Sequence, residues 1–300
     1  MKPYLILLLP PLFWAGNFIV GRAIADQASP VSLSFWRWTL ALIIILPFII
    51  KPMIKQWLII KEHLGILVLL ALLSVSVFNT LAYIGLQYTS ATNGTLLNSF
   101  IPIFILLASS LFFSEKINSQ QIIGVIISLL GVFIILTKLD IEVIKQLRFN
   151  QGDLWILLGA LDWALYSILL KRYRPSDLSA LSFLGTTILF GFIALLPLYL
   201  INPFNEVGLL INQATLSALL YIALFPSIFA YLAWNYGISK VGANIGGQFI
   251  HLMPLFGALM AVIFLDETIQ PYHWLGGIAI AIGLWFSMQK ERVNPDEYSA

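Results

Sequence analysis

Three ionisable side chains stand inside long apolar runs of this chain, where a charge is costly unless it has a use. Asp162 lies near the middle of its run, His251 about a third of the way into its own, and Arg37 about a third of the way into an earlier one. At about 1.5 Å of helix per residue, Asp162 is roughly 12–15 Å from one end of its run and His251 roughly 12 Å from an end of its own. In an apolar layer about 30 Å thick, both sit close to the midplane. A carboxylate at that depth can bind an ammonium group, and a carboxylate with an imidazole can carry a proton. The bland alternative for Asp162 is a packing network or a fixed bridge to Arg37. Arg37 itself reads as structural or gating, holding its helix against a neighbour's carbonyls or carboxylate.

Around these charges lie polar and aromatic residues at helical spacing. Trp14 and Asn17 are about one turn apart and share a face, as do Trp163 and Tyr166. Asn79 and Tyr83 are answered 152 residues later by Tyr231 and Asn235, with the residue types exchanged. Asn98 and Gln248 add amides. Together with Asp162 and His251, these side chains can line a cavity of aromatic faces with a few donors and acceptors, which suits a small organic ligand, a cation included. Packing against lipid and amide contacts between helices are the competing uses.

The elements that must position these residues are apolar helices. The chain has 300 residues, 60% hydrophobic and 10% charged, with a mean hydropathy of +0.93. Soluble domains carry about 25% charged residues. Ten apolar segments, near 4–22, 31–50, 64–86, 92–113, 121–136, 154–170, 178–200, 216–239, 243–265 and 272–288, match the roughly 20 residues that cross a bilayer. Turn chemistry separates them at Ser29-Pro30, Lys51-Pro52, Asn118-Ser119, Asn150-Gln151-Gly152, Pro175-Ser176-Asp177, Asn202-Pro203 and Gln270-Pro271. The first segment is long and contains Pro10, Pro11 and Trp14, which favours a retained helix over a cleaved leader. The expected fold is an all-α membrane protein embedded in a lipid bilayer. With a net charge of +2 and no cysteine, nucleic-acid binding, a disulfide frame and a thiolate metal site have no support.

The segment from Gly85 to Gly131 is written twice. Shifted by 152 residues, 12 of its 47 positions are identical, among them Gly85/Gly237, Ala91/Ala243, Pro102/Pro254, Glu115/Glu267, Gly124/Gly276 and Gly131/Gly283. Trp14-Ala15 and Arg22 recur as Trp163-Ala164 and Lys171 at a shift of 149. The chain therefore reads as two five-span units, 1–138 and 152–290, joined by 139–151 and followed by a polar tail, 291–300. With the N-terminus inside, eleven Lys and Arg fall on the inner side and four on the outer, which puts both termini inside. Five is odd, so the second unit is expected upside down relative to the first, the inverted-repeat construction of secondary carriers with a site at the midplane. Pro102 and Pro254 are expected to bend the inner helices. Glu115 and Glu267, at span ends on opposite faces, are expected to close each face by capping or pairing. The paired glycines, two turns apart, suit close helix contact.

These residues resemble the drug/metabolite transporter superfamily, specifically its EamA-type members. The resemblance rests on Gly-x5-Ala, Pro102 or Pro254, Glu115 or Glu267, and Gly124-x6-Gly131 or Gly276-x6-Gly283, with Trp14 and Arg37 at further family positions. It implies a ten-span fold with a central cavity between the halves. It implies a carrier in a bacterial inner membrane, with both termini cytoplasmic. The implied activity is alternating access for amino acids or related metabolites, as an exporter in many family members. The expected partner is a small-molecule substrate, with proton coupling open and monomer and homodimer both compatible. No cofactor is implied. An intramembrane enzyme using Asp162 and His251 is the alternative from another class. A carrier of phosphorylated or nucleotide-linked metabolites would need more cavity cations than Arg37. No phosphate loop, zinc motif or nucleophile elbow appears.

Overall fold

The computed structural model describes residues 1–115, 117–147, 149–201, 208–265 and 268–289. Every regular element among them is helical. Eight helices are long and apolar enough to cross a membrane: α1 (Lys2–Ala23), α2 (Pro30–Lys55), α3 (Leu64–Tyr88), α4 (Thr92–Phe113), α5 (Ser119–Thr137), α6 (Gln151–Tyr173), α7 (Ala180–Ile201) and α8 (Gln213–Val241). The chain is a multi-pass membrane protein. Two further helical stretches follow. In α9, Ala243–Gly246 runs into a 3-10 segment, Gly247–Leu252, and then Met253–Leu265. The last, α10, is Pro271–Met288. Ten spans are expected, and among the described residues eight helices meet the length and hydropathy of a span. The irregular middle of α9 and the Tyr272-His273-Trp274 start of α10 set these two apart from the rest.

The turn residues work as helix caps. Asn118, Asn150 and Asn212 each accept from the backbone of the helix they precede, opening α5, α6 and α8. Such caps satisfy amides that would otherwise be orphaned at a helix start. Ser29 does the same for α2, where Pro30 occupies the first turn without losing a bond. At the opposite ends, Arg22 donates to the Leu86 carbonyl at 2.9 Å and Lys171 to the Ser239 carbonyl at 2.9 Å. Each cation thus caps the end of a helix two elements further on.

The tightest packing joins α5 to α10. A Cβ on Gly131 would stand 2.5 Å from the Gly276 carbonyl oxygen, and one on Gly283 would stand 2.5 Å from the Gly124 carbonyl oxygen. Real Cβ atoms do not approach backbone that closely, so only glycine permits this contact. The four repeated glycines hold two helices together, as their spacing predicts.

Five helices are locally irregular, α1 among them, where a turn at Leu7-Leu8 parts Lys2–Ile6 from Leu9–Ala23. In α3 a widened π-type turn spans Leu72–Val77, and in α8 one spans Ala223–Phe229. In α4 the helix breaks between Asn98 and Ile101, and α9 carries its 3-10 segment at the matching place. Pro102 and Pro254 fall in the first turn of the helix that resumes after each break. The missing proline N–H costs nothing there. The prolines restart a helix after a break rather than kinking a continuous one.

Candidate functional site

The irregular turns free backbone oxygens, and those oxygens organise the centre of the molecule. Pro226 has no N–H, and the Ser227 hydroxyl donates to the Ile222 carbonyl at 2.7 Å within the widened turn of α8. The Pro226 carbonyl accepts from the Trp14 indole at 3.1 Å and from Arg37 Nη2 at 3.2 Å. In α3, the Ser74 carbonyl accepts from the Tyr231 hydroxyl at 2.5 Å and from Asn79 Nδ2 at 2.9 Å.

Arg37 is the hub. It is 1% exposed. Its Nε donates to Ser227 Oγ at 2.6 Å. Its Nη1 faces Asn79 Oδ1 at 2.6 Å, the Tyr83 hydroxyl at 3.0 Å and Asn17 Oδ1 at 3.5 Å. The guanidinium carbon lies 5.0 Å from the Trp38 ring centre. All these partners are neutral. Among the described residues the only ion pair is Lys145–Glu142, on the surface. The bridge between Asp162 and Arg37 that the sequence allows is therefore not formed.

Beside Arg37 lies a narrow pocket with a cavity volume of about 20 Å³, room for about one water. Of the expected cavity residues, Trp14, Asn17, Asn79, Asn98 and Trp163 line it, and Arg37 joins them. Phe18, Phe78, Ile101, Ile250 and Met253 complete the wall. Sequence reasoning passed over these five, because an apolar residue in an apolar helix carries no sign of facing a cavity. Phe78 directly follows the widened turn of α3, and Met253 directly follows the 3-10 segment of α9. Residues beside helix irregularities were the available signal.

The remaining candidates sit behind or away from this wall. Tyr83 donates to Asn17 Oδ1 at 3.0 Å, and Tyr166 donates to Asn235 Oδ1 at 2.6 Å. Asn79 Nδ2 donates to the Tyr231 hydroxyl at 3.1 Å. The rings of Trp14 and Trp163 meet edge to face at 5.1 Å. Asp162 is buried, and its Oδ2 has no hydrogen-bond partner. His251 is fully buried outside the pocket wall, with Nε2 donating to the Ser99 carbonyl at 2.8 Å and Nδ1 at 2.6 Å from Ser128 Oγ. A carbonyl only accepts, so the proton sits on Nε2. Gln248 reaches the Asn244 carbonyl at 3.3 Å and accepts from Ser287, joining α9 to α10. Glu115 accepts from Asn244 Nδ2 at 3.2 Å, and Asn244 Oδ1 accepts from Ser109 at 3.0 Å. That chain ties the end of α4 to the start of α9. Glu267 lies outside the described residues.

The comparisons with known proteins agree over most of the chain. The pattern of the EamA-like transporter family matches residues 1–137 and 150–289. A protein of Archaeoglobus fulgidus named "uncharacterized transporter" is 29% identical over 97% of this chain and 98% of its own. The uncharacterized transporter YyaM of Bacillus subtilis is 29% identical, covering 94% of this chain and 92% of its own. A solved protein structure superposes with a TM-score of 0.73 over 96% of each chain at 14% identity, a likeness of fold.

Proposed function

The chain belongs to the EamA-like transporter family, and we propose that it carries amino acids or related small organic metabolites by alternating access around the Arg37 pocket. The proposal places it in a bacterial inner membrane with both termini cytoplasmic, working as an exporter without a cofactor. The observation that carries this reading is the pocket itself, which draws polar groups from α1, α2, α3 and α4 and an indole from α6 into one small space.

A set of reciprocal contacts supports two inverted five-helix units around that space. Asn79 bonds Tyr231, and His251 bonds the Ser99 carbonyl, each across 152 residues. These are the positions that the repeat makes equivalent, so each bond joins a residue to its own counterpart. Trp14 touches Trp163, its counterpart at a shift of 149. The Tyr83–Asn17 bond in one unit is answered by Tyr166–Asn235 in the other with donor and acceptor exchanged. Gly131 faces Gly276 while Gly124 faces Gly283, the crossed pattern that a two-fold relation produces. Self-contacts of this kind belong on such an axis, and a site there can open to either side as the units rock.

Asp162 is the group we assign to a coupling proton, since its buried carboxylate oxygen lacks a partner. His251 suits that task less, with both ring nitrogens already bonded. The same bonds weaken the enzyme alternative, which needs Asp162 and His251 in contact.

The test is counterflow and gradient-driven uptake of an amino-acid panel in vesicles reconstituted with the full chain. At least one member is expected to accumulate, and a pH gradient is expected to change its accumulation several-fold. Asp162→Asn is expected to remove the gradient effect and leave counterflow. Failure of every panel member removes the substrate class, and an undiminished gradient effect in Asp162→Asn removes the proton assignment.

A further inference from the structure

Arg37 is a buried cation without a counter-ion, and it stands in a pocket wall. Its neighbours supply oxygen dipoles from Ser227, Asn79, Tyr83 and Pro226, but no negative charge. Neutral oxygens satisfy hydrogen-bond geometry and leave the net charge uncompensated. A desolvated charge without a partner of opposite sign is expensive to maintain. Binding an anion at this spot recovers part of that cost, so the protein favours an anionic group here over a neutral or cationic one.

A second observation points the same way. The indole N–H of Trp163 is buried and has no acceptor, and Trp163 lines the same pocket. Trp38 and Trp234 also carry a buried indole N–H without an acceptor, but of the three only Trp163 lines this pocket, where a ligand can supply one. Asn98 and Asn17 add amides to the wall. The rest of the wall includes apolar side chains, Ile101, Ile250 and Met253 among them. One fixed cation, one spare donor and apolar wall residues describe a receptor for a single carboxylate on a small apolar body. A phosphate ester, with about two charges, is matched poorly by one guanidinium already engaged with several acceptors.

We infer that the pocket binds its substrate through a carboxylate held at Arg37 with the Trp163 indole N–H as a further donor, so that the free carboxylate, and not the ammonium group, is the required part of the ligand. This inference rests on the carrier reading above and narrows its substrate class. It also changes the role of Arg37 from a helix tie to a ligand-binding residue, with Asn79, Tyr83 and Ser227 as positioning residues that hold the guanidinium in place.

Thermal unfolding of the detergent-purified full chain tests it, because a ligand that binds only the folded protein raises Tm in proportion to its saturation. The probes are three matched series: amino acids such as leucine, the acids lacking the ammonium group such as 4-methylpentanoate, and the amines lacking the carboxylate such as isoamylamine. Inorganic phosphate is the fourth arm. Acids and amino acids of at least one side-chain type are expected to raise Tm in a saturable way, with the matched amine at least about 10-fold weaker. Arg37→Gln is expected to weaken the carboxylate effect by a similar factor, and Arg37→Lys to restore part of it. Equal binding of amine and acid, tighter binding of phosphate, carboxylate binding that survives Arg37→Gln, or no response to any carboxylate each overturns the inference. Should Arg37→Gln not fold, the comparison of matched ligands on the unaltered protein still decides. If carboxylates bind here but none crosses vesicle membranes, the carrier reading fails while the anion site stands.

Discussion

Replacing Gly283 or Gly131 with valine is expected to lower stability by at least about 3 kcal/mol, and to collapse the yield of monodisperse protein in detergent. The reason is backbone against backbone. A Cβ on Gly283 meets the Gly124 carbonyl oxygen at 2.5 Å and the Ser128 amide at 2.6 Å, and one on Gly131 meets the Gly276 carbonyl oxygen at 2.5 Å. No rotamer relieves such a contact, so the helices must separate. Overpacking in a tight core costs about 1–3 kcal/mol when side chains can shift, and more when they cannot. In a bilayer little hydrophobic force is available to press the separated helices back together. The damage would spread, because Ser128 is also the partner of His251. Gly257→Val is the control. No heavy atom lies within 4 Å of a Cβ placed there, so its Tm should stay within a few degrees of the parent. Thermal unfolding and size-exclusion profiles of the three variants check this. Equal behaviour of Gly283→Val and Gly257→Val would mean that α5 and α10 do not pack as described.

Asn79→Leu is expected to destabilise the protein by about 3 kcal/mol, more than Arg37→Met does, and the double variant is expected to be more stable than the sum of the two. Asn79 gives Arg37 one of its two shortest bonds, at 2.6 Å, and also donates to the Ser74 carbonyl and the Tyr231 hydroxyl. Removing it leaves a buried charge with poorer solvation, a change that costs about 3–5 kcal/mol when a buried ionic partner is lost. Somewhat less applies here, because Tyr83 and Asn17 remain. Arg37→Met takes away the charge instead. Its acceptors mostly keep another partner, since Ser227 still bonds Ile222, Tyr83 still bonds Asn17, and Pro226 still bonds Trp14. Only Asn79 Oδ1 is left without a donor. Replacing a buried charge with an apolar side chain of like volume is often close to neutral. A coupling energy near zero in the double-mutant cycle would show that Asn79 does not stabilise the guanidinium.

Much of this arrangement was legible in the residues. The repeat of Gly85 to Gly131 marked the helix pair that packs through glycine. The shared-face spacing of Trp14 with Asn17, and the amides Asn79 and Asn98, marked five of the pocket's lining residues once Trp163 is counted. The part that stayed hidden is orientation. An arginine seven residues into a helix could point to lipid headgroups, to a carboxylate or to a cavity. Only the widened turn in α8, which brings Pro226 and Ser227 to it, decides in favour of the last. Asp162 and His251 attracted attention for the same reason as Arg37, an ionisable group at depth. Their surroundings differ in ways that composition does not encode. His251 is fully engaged by Ser99 and Ser128, while Asp162 keeps an oxygen without a partner. Asn118 and Asn150 read from the sequence as loop punctuation, and they serve as the caps that start α5 and α6, while Asn212, which caps α8, gave no such signal and Asn202 lies outside the described residues.

The chain has no cysteine, so a single introduced thiol reports its own surroundings without interference. Met253 is buried, lines the pocket and makes no side-chain hydrogen bond in the Arg37 network. With Met253→Cys in membrane vesicles of known sidedness, a membrane-impermeant thiol reagent is expected to react from the cytoplasmic face and, in separate samples, from the opposite face. A carboxylate that raises Tm should shift the ratio of the two rates. Labelling from one face only, at a rate that ligand does not change, would contradict a pocket that opens alternately to both sides of the membrane.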